Sequence, residues 1–440
     1  MLKFCWETEF KETEIGEIPR DWEIRELKDI AKIESGSNAP QEEKYFLNAK
    51  YPFIRVKHLN TDKYISDYDL INEEAVRDYN LKLFEKNTIV FAKSGESINL
   101  GKYNIIPFDA YIVNHLAIIK NIQNLSEIDF LFYVLIAFDR FVEKDIAGTT
   151  LPYLKITDIE KKKIFYPPLP EQSRIATVLS WFDDLIENKR RQNEILEKTA
   201  MAIFKSWFID FEPFKNGGFV CNDELGKEIP KGWEVKKIGE VADLKNGLSY
   251  KGSEKFNEQT HGSLIFITLN NIIEGGGFKT EYAWVKSERI KNRHLLKEGD
   301  IIFANTEQTK TGRLLGTPAF VIFPTQYSKS AGVFSHHLTK INPKDFRMKY
   351  FFYLIFRLYQ EEFAQSFHTG TGVWGFDLQN FKTNYYILLP PPHILQSFHS
   401  LIEPLFQKII LNQKQIMTLR KIKDTLLPLL VFGKLRVEEI

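Results

Sequence analysis

The stretches where reactive side chains would be sought first carry chemistry poorly. Residues 95–103, GESINLGKY, echo a phosphate-cradling loop, but five residues separate the glycines and Tyr103 stands where a serine or threonine would hold magnesium. The run GGG at 275–277 has no strand-to-helix context and reads as a turn. The nine histidines are scattered, none beside a cysteine or carboxylate at metal-ligand spacing. His336 and His337 are adjacent and are expected to point in different directions. Cys5 and Cys221 share no ligand spacing and no disulfide framework, as expected of a reducing cytoplasm. No Gly-x-Ser-x-Gly elbow occurs, and YPPLP and LPPPH lack the Asn- or Asp-Pro-Pro-aromatic motif that positions an amino group for methyl transfer. The chain is expected to contain no catalytic residue, no metal site and no cofactor of its own.

Binding chemistry is better represented. Three polar loop segments recur in each half of the chain. In the first half they hold Arg55, Lys57 and His58; Lys93, Ser94, Ser97, Asn99 and Lys102; and Thr149, Thr150, Tyr153 and Lys155. In the second they hold Asn270 and Asn271; Asn305, Thr306, Gln308, Lys310, Thr311 and Arg313; and His368, Thr369, Thr371 and Trp374. Asn and Gln pair bidentately with adenine and Arg with guanine, whereas Lys and Thr more often hold phosphate. A polar surface loop is the ordinary alternative for any one of them. What singles out the group is that the differences between the halves gather there: AKSGESINLGK in one becomes ANTEQTKTGR in the other.

These loops are positioned by a framework that is written twice. IGEIPRDWEIRELKDIAKIESG (15–36) matches LGKEIPKGWEVKKIGEVADLKNG (225–247), with Pro19, Trp22 and Gly36 each 211 residues before Pro230, Trp233 and Gly247. NTIVFAKSGESINLGK (87–102) matches GDIIFANTEQTKTGR (299–313), and AGTTLPYLKITDIEKKKIFYPPLP matches TGTGVWGFDLQNFKTNYYILLPPP, which pairs Pro170 with Pro392 at an offset of 222. His115 and His337 fall at matching places, which argues for a framework role. In each copy β-type runs precede a helical run, FLFYVLIAF in the first and MKYFFYLIFRLY in the second, predicting a mixed α+β (α/β) globule with helices on one side of a sheet.

Each globule is followed by a long helix. Ile175, Leu179, Phe182, Ile186, Lys189, Asn193, Leu196, Ala200, Ile203 and Trp207 alternate by four and three, the seam of a coiled coil. At an offset of 223 the seam returns as Phe398, Ile402, Leu405, Ile409, Asn412, Ile416, Leu419, Lys423, Leu426 and Leu430. Two narrow seams of equal length in one chain most simply bury each other as an antiparallel pair, related by a pseudo-two-fold axis. Pro170 suits a first helical turn, while Pro404 is expected to kink or restart the second helix. The expected division is residues 1–166, first globule; 167–212, central helix; 213–388, second globule; 389–440, C-terminal helix.

With 440 residues, 43% apolar and 14% aromatic, the chain has material for several filled cores. Its formal net charge of +1 leaves a nucleic-acid surface, if present, to local clustering. The charged N-terminus does not read as a signal peptide, and the longest apolar runs are about half of a membrane span. A cytoplasmic protein with no membrane partner is expected.

GEIPRDWEI and GKEIPKGWEV, YPPLPEQSRIATVLSWFDDLI, AIFKSWFIDFEPF and the C-terminal LLPLLVFGKLRV together resemble the specificity subunits of type I restriction–modification enzymes. The second half departs from that pattern at PPPHILQSF, where His393 and Ile394 replace Glu-Gln. The resemblance implies two target recognition domains, each reading half of an asymmetric bipartite sequence in double-stranded DNA. It implies that the helices space them and dock two methyltransferase subunits, joined by restriction subunits. S-adenosylmethionine, ATP and magnesium would belong to those partners. A coiled-coil protein scaffold and a methyltransferase-fused recognition protein are the alternatives, and the missing methyl-transfer motif weighs against the second.

Overall fold

The computed structural model describes residues 2–94, 98, 101–123, 125–141, 153–307 and 312–439. They form two compact units, one made of Met1–Glu187 with Leu419–Ile440, the other of Asn188–Thr418. Each is built around the same four-stranded antiparallel sheet. In the first the order is Tyr103–Ile106, Thr88–Ala92, Leu116–Asn121, Ala31–Ser35. In the second it is Pro318–Phe320, Ile301–Ala304, Leu338–Pro343, Ala242–Asn246. The registers coincide: Leu116 faces Ala92 as Leu338 faces Ala304, and Asn121 faces Ala31 as Pro343 faces Ala242. The central strands, TIVFA and IIFA, are buried throughout, as a continuous β-branched and aromatic run requires.

A second sheet in each unit contains a parallel pair, Tyr51–Ile54 with Ala110–Ile112 and Leu264–Ile267 with Gly332–Phe334. The run AYIVNHLAIIK is therefore two strands in two sheets, parted by a turn at Asn114 and His115. The same turn in the second unit carries His336 and His337. Turn residues do not alternate as strand residues do, and the two rings lie 3.9 Å apart, contrary to the expectation that they diverge. Gly36 and Gly247 pass close beneath these turns. A Cβ would lie 2.2 Å from the Ile112 carbonyl oxygen at the first and 2.3 Å from the Phe334 oxygen at the second, so neither position accepts a side chain.

Helices Ile128–Phe141 and Lys349–Leu358 share the hydrophobic cores formed with the main sheets. The two long helices, Leu169–Phe208 and Pro392–Val431, have 40 residues each, about 60 Å at the helical rise. Both units contain a stretch of each helix, and in both the stretches run antiparallel. In the first unit Lys423 Nζ lies 2.5 Å from Asp183 Oδ1, and Ile175 and Leu179 share a core with Leu427 and Leu430. In the second, Asn412 Nδ2 donates to Asn193 Oδ1 at 2.9 Å, and Phe204 and Phe208 pack on Phe398. Every position of the seam on both helices is buried or half-buried. The globule of each unit grips its helices through a tyrosine: Tyr133 Oη donates to Asp183 at 2.6 Å, and Tyr353 Oη to Glu197 at 2.9 Å beside Arg357. Burial first, and then the carboxylate, pushes both phenols well above their ordinary pKa, so they remain donors.

Two sequence expectations are corrected here. Tyr166 faces Glu23 and Leu389 faces Glu234, so the offset where the helices start is 223, and Leu169 rather than Pro170 matches Pro392. The C-terminal helix runs through Pro404 without restarting there, which corrects that part of the expectation. Pro404 and Ser400, whose carbonyl loses its helical partner, are both exposed residues, so the proline sits on the solvent side of the helix.

One feature of the first unit had no signal in the sequence. Leu2–Trp6 pairs antiparallel with Leu435–Glu439. Beside this ribbon Arg436 meets Glu171 (Nε to Oε1, 2.5 Å), Asp21 (Nη2 to Oδ2, 2.8 Å) and Glu7, while Trp22 Nε1 donates to Glu171 at 3.0 Å. Gly433, at φ 68°, turns the chain against Pro19, where a Cβ would lie 2.4 Å from the ring.

Candidate nucleic-acid interface

The sequence-divergent loops leave each main sheet at the end of its central strand, and an identical backbone frame holds that exit. In the first unit Lys93 N donates to His115 O at 3.0 Å and Leu154 N to Lys93 O at 2.8 Å. In the second Asn305 N donates to His337 O at 3.0 Å and Phe376 N to Asn305 O at 2.8 Å. Ser94 bridges Tyr153 as Thr306 pairs with Gly375. The next hydroxyl contact is duplicated too: Ser94 Oγ lies 2.8 Å from His115 Nδ1, and Thr306 Oγ1 lies 2.9 Å from His337 Nδ1. Loop chemistry changes from copy to copy while the frame does not, the arrangement of an exchangeable reading element on a fixed mount.

The second mount is the more elaborate. Thr306–Glu307, Trp374–Phe376 and His368–Thr369 form a three-stranded sheet. Buried Glu307 accepts from Leu314 N and Leu315 N, both at 3.0 Å, and Gln360 Nε2 donates to Gly312 O and Leu315 O at 2.8 and 2.6 Å. Trp374 covers Gly312, whose φ of 70° and missing Cβ admit the indole, and His368 stacks on Trp374 with ring centres 4.1 Å apart. Arg313 emerges beside it, 70% exposed, and reaches Glu274 at 3.4 Å. Thr369 is exposed and its hydroxyl donates to Gly375 O at 3.3 Å. Arg313, Thr369, His368 and Trp374 are thus brought together on one edge.

Several of the other expected contact residues are turned inward. Lys93 is 5% exposed, with Nζ 3.1 Å from Tyr153 Oη and over that ring. Asn305 is 6% exposed and donates to His336 O and Thr339 Oγ1, both at 3.0 Å. Both serve the base of a loop rather than a groove. His58 and Asn271 are equivalent turn caps: His58 Nδ1 accepts from Arg55 N at 2.9 Å, and Asn271 Oδ1 from Thr268 N at 2.8 Å. Arg55 and Lys57 converge on Asp69 at 2.8 and 2.7 Å. Burial opposes ionisation of Asp69, but Lys57, His58 and Arg55 outweigh it and hold its carboxyl below the ordinary range, so the positive charge of Arg55 and Lys57 is spent internally. Asn270 is exposed, and half-buried Lys102 lies 3.4 Å from Leu59 O. Ser97, Asn99, Thr149, Thr150, Gln308, Lys310 and Thr311 lie outside the described residues.

Among the described residues no group of His, Cys, Asp and Glu could hold a metal ion, and no helix is long and apolar enough to cross a membrane. The family model for the type I restriction modification DNA specificity domain matches residues 19–198 and again 230–421. The type I restriction enzyme MjaIX specificity subunit of Methanocaldococcus jannaschii is 41% identical, covering 100% of this chain and 99% of that one. The MjaVIII specificity subunit of the same organism is 25% identical over the same shares. In fold, the crystal structure of the type I restriction–modification S subunit from M. genitalium superimposes with a TM-score of 0.52 at 17% identity, over 93% of this chain and 96% of that one. With that domain matched in each half and a relative of this identity along the whole length, the chain belongs to the type I restriction–modification specificity family.

Proposed function

We propose that this chain is the non-catalytic specificity subunit of a type I restriction–modification enzyme and that each globule reads one half of a split DNA target. The observation that carries the reading is the repeated mount with unlike loops. Equal frames present different side chains, so the two half-sites differ in sequence. The paired helices set the unread spacer and dock two methyltransferase subunits; restriction subunits join that assembly in the cytoplasm. S-adenosylmethionine, ATP and magnesium act in those partners. A near-neutral subunit suits this role, because the assembly shares the neutralisation of phosphate.

The test is to coexpress the subunit with its methyltransferase and map methylated adenines across the host genome. Exchanging Arg313 and Trp374 for alanine is expected to relax one half-site at one or two positions, a discrimination of about 1–3 kcal/mol per base contact, and to leave the other half intact. Alteration of both halves, or of neither, refutes the assignment of the loop.

A further inference from the structure

We infer that His115 and His337 contact DNA phosphate, one in each globule, at the point where the reading loop leaves its mount. The inference rests on the proposed DNA-reading function and adds to it a sequence-independent anchor. His115 is exposed and His337 half-buried. In each, Nδ1 is engaged by the hydroxyl that opens the loop, at 2.8 Å for Ser94 and 2.9 Å for Thr306. With the hydroxyl donating, a neutral ring carries its proton on Nε2. Neither Nε2 has a partner among the described residues, which leaves a fixed N–H donor on the reading edge. In the second unit burial, and then the neighbouring His336, lowers the imidazole below its ordinary value, so it stays uncharged near neutrality.

The ligand follows from comparing the two copies. Around these histidines Lys93 becomes Asn305 and the loop is rewritten, yet the imidazole, its hydroxyl and the carbonyl contact are retained. A base reader would change with the half-site it reads. A donor common to both heads addresses what any two half-sites share, the phosphate backbone. At His337 an uncharged donor of this kind also helps a chain of net charge +1 to hold DNA in register.

The experiment uses the complex with the methyltransferase subunits and a duplex carrying its mapped target, with methylphosphonate placed at each phosphate in turn. Three variants at each position separate the two ring nitrogens: alanine removes both, asparagine imitates Nδ1 alone, and glutamine reaches the position of Nε2. His337→Ala and His337→Asn are expected to weaken binding roughly tenfold, the loss of one hydrogen bond to a charged group. Both should become insensitive to methylphosphonate at one phosphate of one half-site, glutamine should restore binding and sensitivity, and the methylated sequence should not change. His115 is expected to behave alike at the other half-site. Rescue by asparagine but not glutamine would make the histidine only a latch for the loop, and a changed base preference would make it a base reader; either overturns the inference. If the parent complex itself shows no preference for a split target, the proposed function has failed, whatever the variants do.

Discussion

Arg436 offers the sharpest test of how the first unit is held together. Its side chain is 17% exposed and faces three carboxylate side chains, of which Glu171 is 3% exposed, Glu7 15% and Asp21 54%. Arg436→Met keeps an aliphatic stem and removes the charge, together with the guanidinium whose Cζ lies 5.7 Å from the centre of the Trp22 ring. Glu171 then retains Trp22 Nε1 as its remaining donor from this cluster. Breaking a buried pair from one side costs about 3–5 kcal/mol, and the exposed Asp21 arm adds little because water screens it. For a unit of roughly 200 residues each kcal/mol is worth about 2–4 °C, so a fall of about 6–20 °C is expected. Glu171→Gln leaves Arg436 with Glu7 and Asp21 and one acceptor oxygen, and about 1–2 kcal/mol is expected. The double variant should fall short of the sum by about 1–3 kcal/mol, since the two groups share one network. Scanning calorimetry reads this directly, with the transition of the second unit as internal control. The Glu9 and Thr8 amides and Arg436 hold the Glu7 carboxyl below its ordinary 4.5, against the effect of burial, and Arg436 leads in lowering Asp21. Their contribution is therefore complete above the unfolded carboxylate values and is lost as pH falls through the lower folded ones, and Arg436→Met should flatten that acid limb. A variant within about 1 kcal/mol of the parent, or an equal shift of both transitions, would refute the assignment of this cluster as a lock of the first unit.

Gly247→Ala is expected to destabilise the second unit by about 2–3 kcal/mol in urea unfolding, because the new Cβ meets carbonyl oxygens of Phe334 and Ser335, both backbone and unable to rotate away. Unfolding at the parent midpoint would mean that the turn shifts freely. Asn412→Leu should stabilise the same unit by about 1–2 kcal/mol: Asn412 is fully buried and its Oδ1 has no partner among the described residues, whereas Asn193 and Gln192, which it contacts, reach solvent and can be rehydrated. A loss of stability would show instead that this polar layer holds the helices in register.

The framework was legible because periodicity and repetition are local properties of a sequence. The four–three spacing from Ile175 to Trp207 and its return at an offset of 223 marks a seam whoever its partner is, and Trp22 with Trp233 marks the duplication. The site was legible only in outline. Lys93 and Asn305 follow buried strands directly, and a polar residue there reads the same whether it turns to solvent or ties down a loop; the rings and carbonyls that capture it come from segments tens of residues away. In the sequence His58 and Asn271 look like contacts because a turn cap and a base reader are drawn from the same polar side chains, and only the fold shows both accepting from backbone amides. The Ser94–His115 and Thr306–His337 pairs carried a usable signal, since both members recur at matching places. Arg436 carried none: its partners at 7, 21 and 171 are brought together by folding alone.

The way the chain is divided has a consequence for synthesis. The second unit is one continuous stretch, Asn188–Thr418, whereas the first needs Leu419–Ile440 to finish its helix pair and its terminal ribbon. On a ribosome the later-encoded half can therefore close before the earlier one, and the first globule waits, with Ile175 and Leu179 uncovered, until more than two hundred further residues have emerged. Messages cut short before that point leave an open, adhesive intermediate, so quality control of the first unit falls on the codons for Leu419–Ile440.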